Sequence, residues 1–269
     1  MSMRMRTWRT LLVIAAAACS NEGTAPGTTE RDAAAEDAER VAIEMAGTFF
    51  EATGPLGMTG DRTGTGIGTP LTGPMMGVGG PRGGTTGAPP GLNVAVTTTY
   101  YDAAGAAQAA YDALTTAKIV QKETVSGTST VQRDGRSVVT TVQRSGETTI
   151  TGLAGSETSR TINGSASGTV TTDATVDGKT SHAVTTSSDR TVDLVIPVPG
   201  GRGVYPKSGT VTHERTVSLS RAGAAATTHT VKEVSTFDGT AVVKVTITVD
   251  GTTRSCTRNL ETRQTTCGA

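Results

Sequence analysis

Large aromatic side chains and cysteines are scarce in this sequence. Aromatic residues make up 3% of the 269-residue chain, which has one tryptophan and three cysteines. A thick two-layer core usually draws on large side chains. The composition therefore argues against such a core and favours thin layers rich in valine and threonine.

An excess of charge of one sign is also missing. The chain has 24 basic and 24 acidic residues, and residues 1–18 contain three arginines and no acid. Without residues 1–18, acidic residues outnumber basic ones by three. Nucleic-acid binding needs a basic patch, which this sequence does not have. We therefore expect no nucleic-acid partner.

Residue patterns typical of catalysis or metal binding are missing as well. None of the three histidines, His182, His213 and His229, has a second ligand at metal-binding spacing. No G-x-S-x-G motif is present. His182 and Asp189 could be combined with a serine into a triad, but a serine-rich chain offers such trios by chance. We expect solvent-facing histidines, no catalytic residue, no metal or cofactor, and a protein that is not an enzyme.

The N-terminal segment has the pattern of an export signal. Arg4, Arg6 and Arg9 precede a short apolar run that ends at Ala18. A membrane-spanning helix needs roughly 20 apolar residues, so this run is too short to span. Three alanines then lead to Cys19.

Residues 1–20 resemble the lipobox signal of bacterial lipoproteins, although Ala16 stands where leucine is usual. The resemblance implies cleavage between Ala18 and Cys19 and lipid attachment, with palmitate among the acyl groups, at Cys19. It also implies export and anchoring to the cell envelope. Ser20 points to the outer membrane, facing the periplasm or the cell surface. An ordinary secretory signal is the alternative. The remaining chain resembles uncharacterised Thr/Gly-rich β lipoproteins and no specific family.

Three segments follow the signal. Residues 19–29 form a polar tether. Residues 30–53 have an apolar stripe at helical spacing and predict an amphipathic helix that docks on a sheet or, alternatively, lies on the membrane. Residues 54–91, with 14 glycines and six prolines in 38 positions, predict a disordered Gly/Pro/Thr-rich linker.

Residues 92–269 have the pattern of antiparallel strands. Threonine occupies 39 of these 178 positions, and apolar residues alternate with polar ones, as in Val243, Val245, Ile247 and Val249. Two-residue signals mark hairpin turns: Asp134-Gly135, Asn163-Gly164, Asp177-Gly178, Asp238-Gly239 and Asp250-Gly251, with Ser145-Gly146, Ala154-Gly155 and Ala222-Gly223 weaker.

The predicted fold is mainly β: an antiparallel up-and-down meander of ten to twelve strands, as a large curved sheet or open barrel. One N-terminal amphipathic helix and the Gly/Pro-rich linker precede it. Between residues 101 and 116 the sequence allows either a turn at Asp102–Gly105 or a short helix at Ala106–Leu114.

The two C-terminal cysteines are predicted to form a disulfide. A turn near Glu261-Thr262 brings residues whose numbers add up to 523 opposite each other, and Cys256 and Cys267 satisfy this condition. Nearby cysteines usually pair in an oxidising compartment. Two free thiols are the alternative. Arg254, Arg258 and Arg263 nearby suggest a solvated edge strand.

Together these features predict a lipid-anchored cell-envelope protein that has a structural or binding role. Its partners are the membrane, through the lipid, and an envelope protein or an apolar ligand. A half-barrel carrier of an apolar ligand or lipoprotein is the alternative, by analogy of element order alone. A secreted hydrolase is the least favoured hypothesis.

Overall fold

The computed structural model describes residues 91–268, except 134–135, 156, 177 and 201–202. These residues form one open antiparallel sheet of eleven strands, and no helix is present among them. The strands are β1 (Leu92–Asp102), β2 (Ala107–Gln108), β3 (Thr116–Arg133), β4 (Arg136–Thr151), β5 (Ser159–Val176), β6 (Lys179–Pro197), β7 (Ser208–Arg221), β8 (Thr227–Phe237), β9 (Val242–Val249), β10 (Thr252–Asn259) and β11 (Thr265–Cys267).

The strand order in the sheet follows the chain almost throughout. From β3 to β11, every strand pairs with the next one along the sequence, and β1 lies between β3 and the very short β2. The predicted meander of ten to twelve antiparallel strands is thereby confirmed. The sheet is open rather than closed, so β2 and β11 are its outermost strands.

Short turns explain why consecutive strands are neighbours. Val249 pairs with Thr252, and the intervening Asp250 and Gly251 have φ angles of 47° and 84°. Positive φ at both central residues is what a two-residue type I′ turn requires. Arg133 pairs with Arg136 and Val176 with Lys179, so these connections are also two residues long.

The two faces of the sheet differ in burial. Along β4, every second residue from Val138 to Ile150 is buried except Gly146, and the residues between them are exposed or half-buried. We call the buried side the inner face and the other side the outer face. On the outer face, hydroxyl pairs join adjacent strands, for example Thr128 with Thr141 at 3.0 Å and Thr248 with Thr253 at 2.9 Å.

Two apolar clusters occupy the inner face of the long central strands. The main cluster contains Ile119, Ile150, Leu153, Ile162, Leu194 and Val211, with Tyr100, Tyr111, Ile196 and Phe237 packed against it. The second cluster contains Leu92, Val125, Val142 and Val170, further along the same strands. The middle of the inner face, between these clusters, is where charged residues lie.

Some predicted turns are wrong. Asn163-Gly164 and Ser145-Gly146 lie inside β5 and β4, because their neighbours continue the ladder. The pairing of β5 with β6 shifts between Ile162 and Gly164, and Asp193 opposite has a φ of 47°. The Asn163 side chain accepts a hydrogen bond from the Asp193 backbone N–H at 2.8 Å. The extra residue lies in β6, where Val192 and Asp193 face Asn163, so the Asn-Gly pair lies opposite a β-bulge and not in a hairpin turn.

The same bulge changes one predicted face. The sequence predicts Val192 and Leu194 on one face, but an extra residue between them reverses the alternation. Leu194 is fully buried on the inner face, whereas Val192 is half-buried and follows the inner-facing Thr191.

The segment between β1 and β3 forms a turn. Gly105 donates a backbone hydrogen bond to Asp102 at 3.1 Å, which closes the predicted turn, and Ala106–Leu114 contains no helix.

The predictions for residues 1–90 concern the signal peptide, the tether, the amphipathic helix and most of the linker. They lie outside the described residues, as do the cleavage site at Ala18 and the lipid site at Cys19. In the part of the chain that the structure describes, no helix has the length and hydropathy needed to cross a membrane.

Candidate functional site

The strand register brings charged residues into one row across the inner face. Asp189 of β6 pairs directly with His213 of β7 on one side and with Ala166 of β5 on the other. Because side chains two residues apart share a face, Arg144 of β4 and Arg215 of β7 lie on the same face. We call Glu123, Arg144, Asp189, His213 and Arg215 the charged row.

Asp189 is the centre of the charged row. Its Oδ2 accepts a hydrogen bond from Arg144 Nη2 at 3.0 Å, and its Oδ1 lies 2.7 Å from His213 Nδ1. The Arg144 and Asp189 side chains are 4% and 5% exposed, whereas the His213 side chain is 40% exposed. The ion pair is therefore buried and the imidazole connects it to the solvent.

Small residues create the space that Arg144 needs. Gly168 of β5 pairs with Arg144 and separates it from β6. A Cβ atom on Gly168 would lie 2.8 Å from the Cβ of Arg144 and 2.7 Å from the backbone oxygen of Gln143. Both distances are too short for real contacts, so Gly168 lets the guanidinium pass over β5 and reach Asp189.

The neighbouring charges shift the pKa values of the two carboxyls in different directions. Burial alone would raise the pKa of Asp189, but the His213 hydrogen bond and the charges of His213, Arg144 and Arg215 outweigh it and lower the pKa. For Glu123, burial raises the pKa and the charge of Arg144 offsets this only in part. Asp189 is therefore held as a carboxylate, and Glu123 accepts a proton more readily than usual.

Five buried hydroxyl groups lie on the inner face. Among the described residues, they have no hydrogen-bond partner: Thr140, Thr172, Ser181, Ser187 and Thr191. Ser187 and Thr191 are the inner-facing neighbours of Asp189 along β6, and the other three lie beyond the Val142–Val170 pair. Thr140 and Thr172 pair directly across β4 and β5, and each is 1% exposed. Buried hydroxyls without a partner are unfavourable in a folded protein.

The contacts of His213 differ from those of a catalytic histidine in a Ser-His-Asp triad. In the described part of the chain, the His213 side chain has one hydrogen bond, to Asp189. Nucleophilic catalysis of the Ser-His-Asp kind requires a hydroxyl or thiol that is hydrogen-bonded to the histidine ring. Among the described residues, the ring of His213 has no such partner. Over the same residues, no group of three His, Cys, Asp or Glu side chains could hold a metal ion.

The histidines follow a pattern that the sequence did not suggest. Each one is partly exposed, and each places Nδ1 against an aspartate: His182 at 2.7 Å from Asp173, and His229 at 2.8 Å from Asp250. The triad of His182 with Asp189 is not assembled, because Asp189 pairs with His213 on the inner face. His182 lies on the outer face, where its partner is 50% exposed.

The two cysteines lie where the register predicted. Cys256 of β10 pairs directly with Cys267 of β11, and their sulfur atoms are bonded at 2.04 Å. Arg258, predicted to be a solvated charge, instead forms a two-pronged contact with Glu233 of β8 at 2.8 and 2.9 Å. This contact crosses β9 and ties the last strands together.

The charged row is the feature that sequence reasoning missed. Arg144 and Asp189 are 45 positions apart, and only the complete register of β4, β5 and β6 brings them together. The sequence feature that could have indicated the charged row is the set of glycines inside β4 and β5: Gly146, Gly164 and Gly168. Glycine within a strand marks a close approach or a bulge.

Comparison of the chain with models of protein families, with curated proteins and with solved structures gave no match.

Proposed function

We propose that this chain is an exported cell-envelope protein, anchored by lipid on Cys19, that acts by binding and not by catalysis. The binding surface is the inner face around the charged row. The observation that carries this proposal is the pair of buried hydroxyls, on Ser187 and Thr191, that flank Asp189 of the Arg144–Asp189 ion pair and have no partner among the described residues. A polar partner with its own donors and acceptors would satisfy them.

The position of the charged row supports a component of the envelope as the partner. Apolar clusters flank the row on both sides, so the inner face combines apolar side chains with polar groups in its middle. Binding sites commonly combine apolar walls with a few convergent polar groups. The proposed location is the outer membrane, with the sheet facing the periplasm or the cell surface.

The anchor is tested by fractionation. We expect Cys19→Ala to move the protein from the membrane fraction to the soluble fraction. Wild-type and Cys19→Ala proteins with the same fractionation would contradict the lipid anchor.

The binding surface is tested with two matched aspartates. The protein is purified from its own membrane in mild detergent, and retained molecules are identified by native mass spectrometry. Asp189→Asn should lose the retained molecule, whereas Asp173→Asn, which alters a His–Asp pair on the outer face, should keep it. If both variants retained the molecule equally, the inner face would not be the binding surface.

A carrier of an apolar ligand is the second candidate, favoured by the apolar clusters. Saturable binding of a fluorescent long-chain fatty acid, weakened by Leu194→Asn, would support it. A fatty acid that binds only when polar envelope components are also present would favour the first candidate.

A further inference from the structure

The edge of β1 is free over most of its length. On the side away from β3, the short β2 pairs only with Tyr100 and Tyr101. Among the described residues, no strand pairs with Leu92–Thr99 on that side. Val94 and Val96 in this stretch are 50% and 41% exposed. Natural proteins usually protect such an edge, because its unpaired backbone groups can pair with another chain.

The backbone groups that point away from β3 can be identified. The Gly91 carbonyl accepts a hydrogen bond from Thr128 of β3 at 3.1 Å. Because neighbouring residues direct their N–H and C=O groups to opposite edges, odd-numbered residues of β1 bond to β3. The free edge therefore presents the N–H and C=O groups of Leu92, Val94, Val96 and Thr98.

The two edges of the sheet differ in their protection. The segment Leu92–Thr99 contains no charged residue and no proline. The other edge is formed by β11, which is three residues long, and by β10, which carries Arg254 and Arg258. Short strands and charges are the usual devices that block edge pairing. Only the β1 edge lacks them.

We propose that β1 pairs with β1 of a second copy of this chain, antiparallel and about a two-fold axis at Ala95. In this register Leu92 pairs with Thr98 of the second copy, and Val94 pairs with its Val96. All four outward-pointing residues of each chain are used, which gives about eight hydrogen bonds. The same register places the exposed valines of both chains against one another on the inner face, since paired residues share a face.

Other registers leave groups unpaired. A shift of one pair in one direction would place Leu92 opposite Tyr100, where β2 already occupies the edge. A shift in the other direction would place Thr98 opposite Pro90, which has no N–H to donate. Gly91 has a φ of 89°, so the chain leaves the strand direction before it reaches β2 of the other copy.

The chain's own N-terminal part is a poor alternative occupant of this edge. Residues 54–91 contain 14 glycines and six prolines, and both residue types are depleted in strands. No charge repulsion opposes the second copy, because the paired segment is uncharged. A contact of two short strands is small compared with stable interfaces, so we expect a dimer that depends on protein concentration.

Cysteine cross-linking at the two-fold axis tests this proposal. In the proposed register Ala95 faces Ala95 of the second copy as a non-hydrogen-bonded pair, whose Cβ atoms are about 4.5–5.5 Å apart. Under mild oxidation, Ala95→Cys should therefore form a disulfide dimer. Thr97→Cys is the matched control, because it lies on the same face of the same strand but opposite Asn93. We expect several-fold more dimer from Ala95→Cys than from Thr97→Cys on a non-reducing gel.

A second pair of variants tests the interface without cysteines. The double variant Val94→Lys/Val96→Lys should remain monomeric in sedimentation experiments at concentrations where the wild type dimerises. Thr266→Lys, on β11 at the opposite edge, should dimerise like the wild type. Equal cross-linking of the two cysteine variants, or a wild type that is monomeric at every concentration tested, would overturn the proposal.

Discussion

The central strands and the C-terminal strands of this sheet are stabilised in different ways. Strands β3 to β6 are 16 to 19 residues long, and alternate residues of β4 to β6 are buried along most of their length. Strands β8 to β11 have 11, 8, 8 and 3 residues and are more exposed. The long strands bury many small side chains, whereas the short ones combine one apolar cluster around Val243 and Val245 with a disulfide and an ion pair.

The comparison shows how a sheet with few aromatic residues can be built. Long ladders distribute apolar burial over many valines, alanines and threonines, so no single large side chain is needed. Where the strands become short, this contribution falls and specific links replace it. A substitution in the long strands should therefore destabilise the whole sheet. A substitution in the short strands should loosen only the strands around it.

The largest expected effect is in the central strands. Asp189→Asn removes the carboxylate from the buried Arg144–Asp189 pair, and breaking a buried ion pair costs about 3–5 kcal/mol. We expect the free energy of unfolding of the whole sheet to fall by about 3 kcal/mol in urea denaturation. Asp173→Asn is the matched control, because it alters an exposed His–Asp pair and should cost about 0.5 kcal/mol or less. Similar losses in both variants would contradict the structural role of the charged row.

The contribution of Asp189 should depend on pH. The pKa of Asp189 is below its ordinary value of 3.8, so its stabilisation is present above that value and is lost as the pH falls through the folded-state pKa. The difference in stability between the wild type and Asp189→Asn should therefore stay constant at neutral pH and shrink below about pH 4. A stability difference that grows on acidification would contradict a lowered pKa of Asp189 in the folded protein.

A more local effect is expected at the disulfide. The chain-entropy model gives about 3 kcal/mol for a closed loop of this size. Replacing both Cys256 and Cys267 by serine should speed amide hydrogen exchange in β10 and β11. Exchange in β3 to β6 should stay as in the wild type. Loss of protection across the whole sheet would mean that the two regions unfold as one unit.

The ion pair that crosses β9 should contribute less. Arg258 and Glu233 are 35% and 22% exposed, so solvent weakens their attraction, and Glu233→Gln should cost about 1 kcal/mol. The control is Glu214→Gln, because Glu214 and its partner Lys232 are 3.6 Å apart and both 47% exposed. It should leave the thermal midpoint unchanged. A larger effect at Glu214 would mean that geometry does not decide the strength of these pairs.

The smallest effect is expected to be a gain in stability. Thr172 has a buried hydroxyl with no partner among the described residues, so Thr172→Val should raise the free energy of unfolding by about 0.5–1 kcal/mol. Thr141→Val removes a hydroxyl on the outer face that bonds to Thr128, and no gain is expected there. A loss of stability in Thr172→Val would show that this hydroxyl is satisfied within the protein.

Local signals in the sequence predicted the meander and the register of the last hairpin. Alternation and Asp-Gly turns act over a few residues, which is why Asp250-Gly251 and the pairing of Cys256 with Cys267 could be derived. The bulge in β6 could not be derived, because the Asn-Gly pair opposite it in β5 suits a hairpin turn equally well. The choice depends on Asp193 in the next strand, which accommodates the extra residue.

The charged row could not be predicted for a related reason. A small error in register moves Arg144 or Asp189 to the other face, and errors accumulate over the three ladders from β4 to β7 that separate Arg144 from His213. The sequence shows that these residues are polar and lie within strands. It does not show that they meet.

The nearly sequential strand order has a consequence for how the chain folds. From β3 to β11 each ladder joins strands that are consecutive in the sequence, so contacts are short in sequence separation for an all-β protein. Folding rates fall as the mean sequence separation of contacts rises. This sheet should therefore assemble faster than β-sandwiches of similar size, one hairpin at a time. As the chain emerges N-terminal end first, each new strand finds its partner already in place.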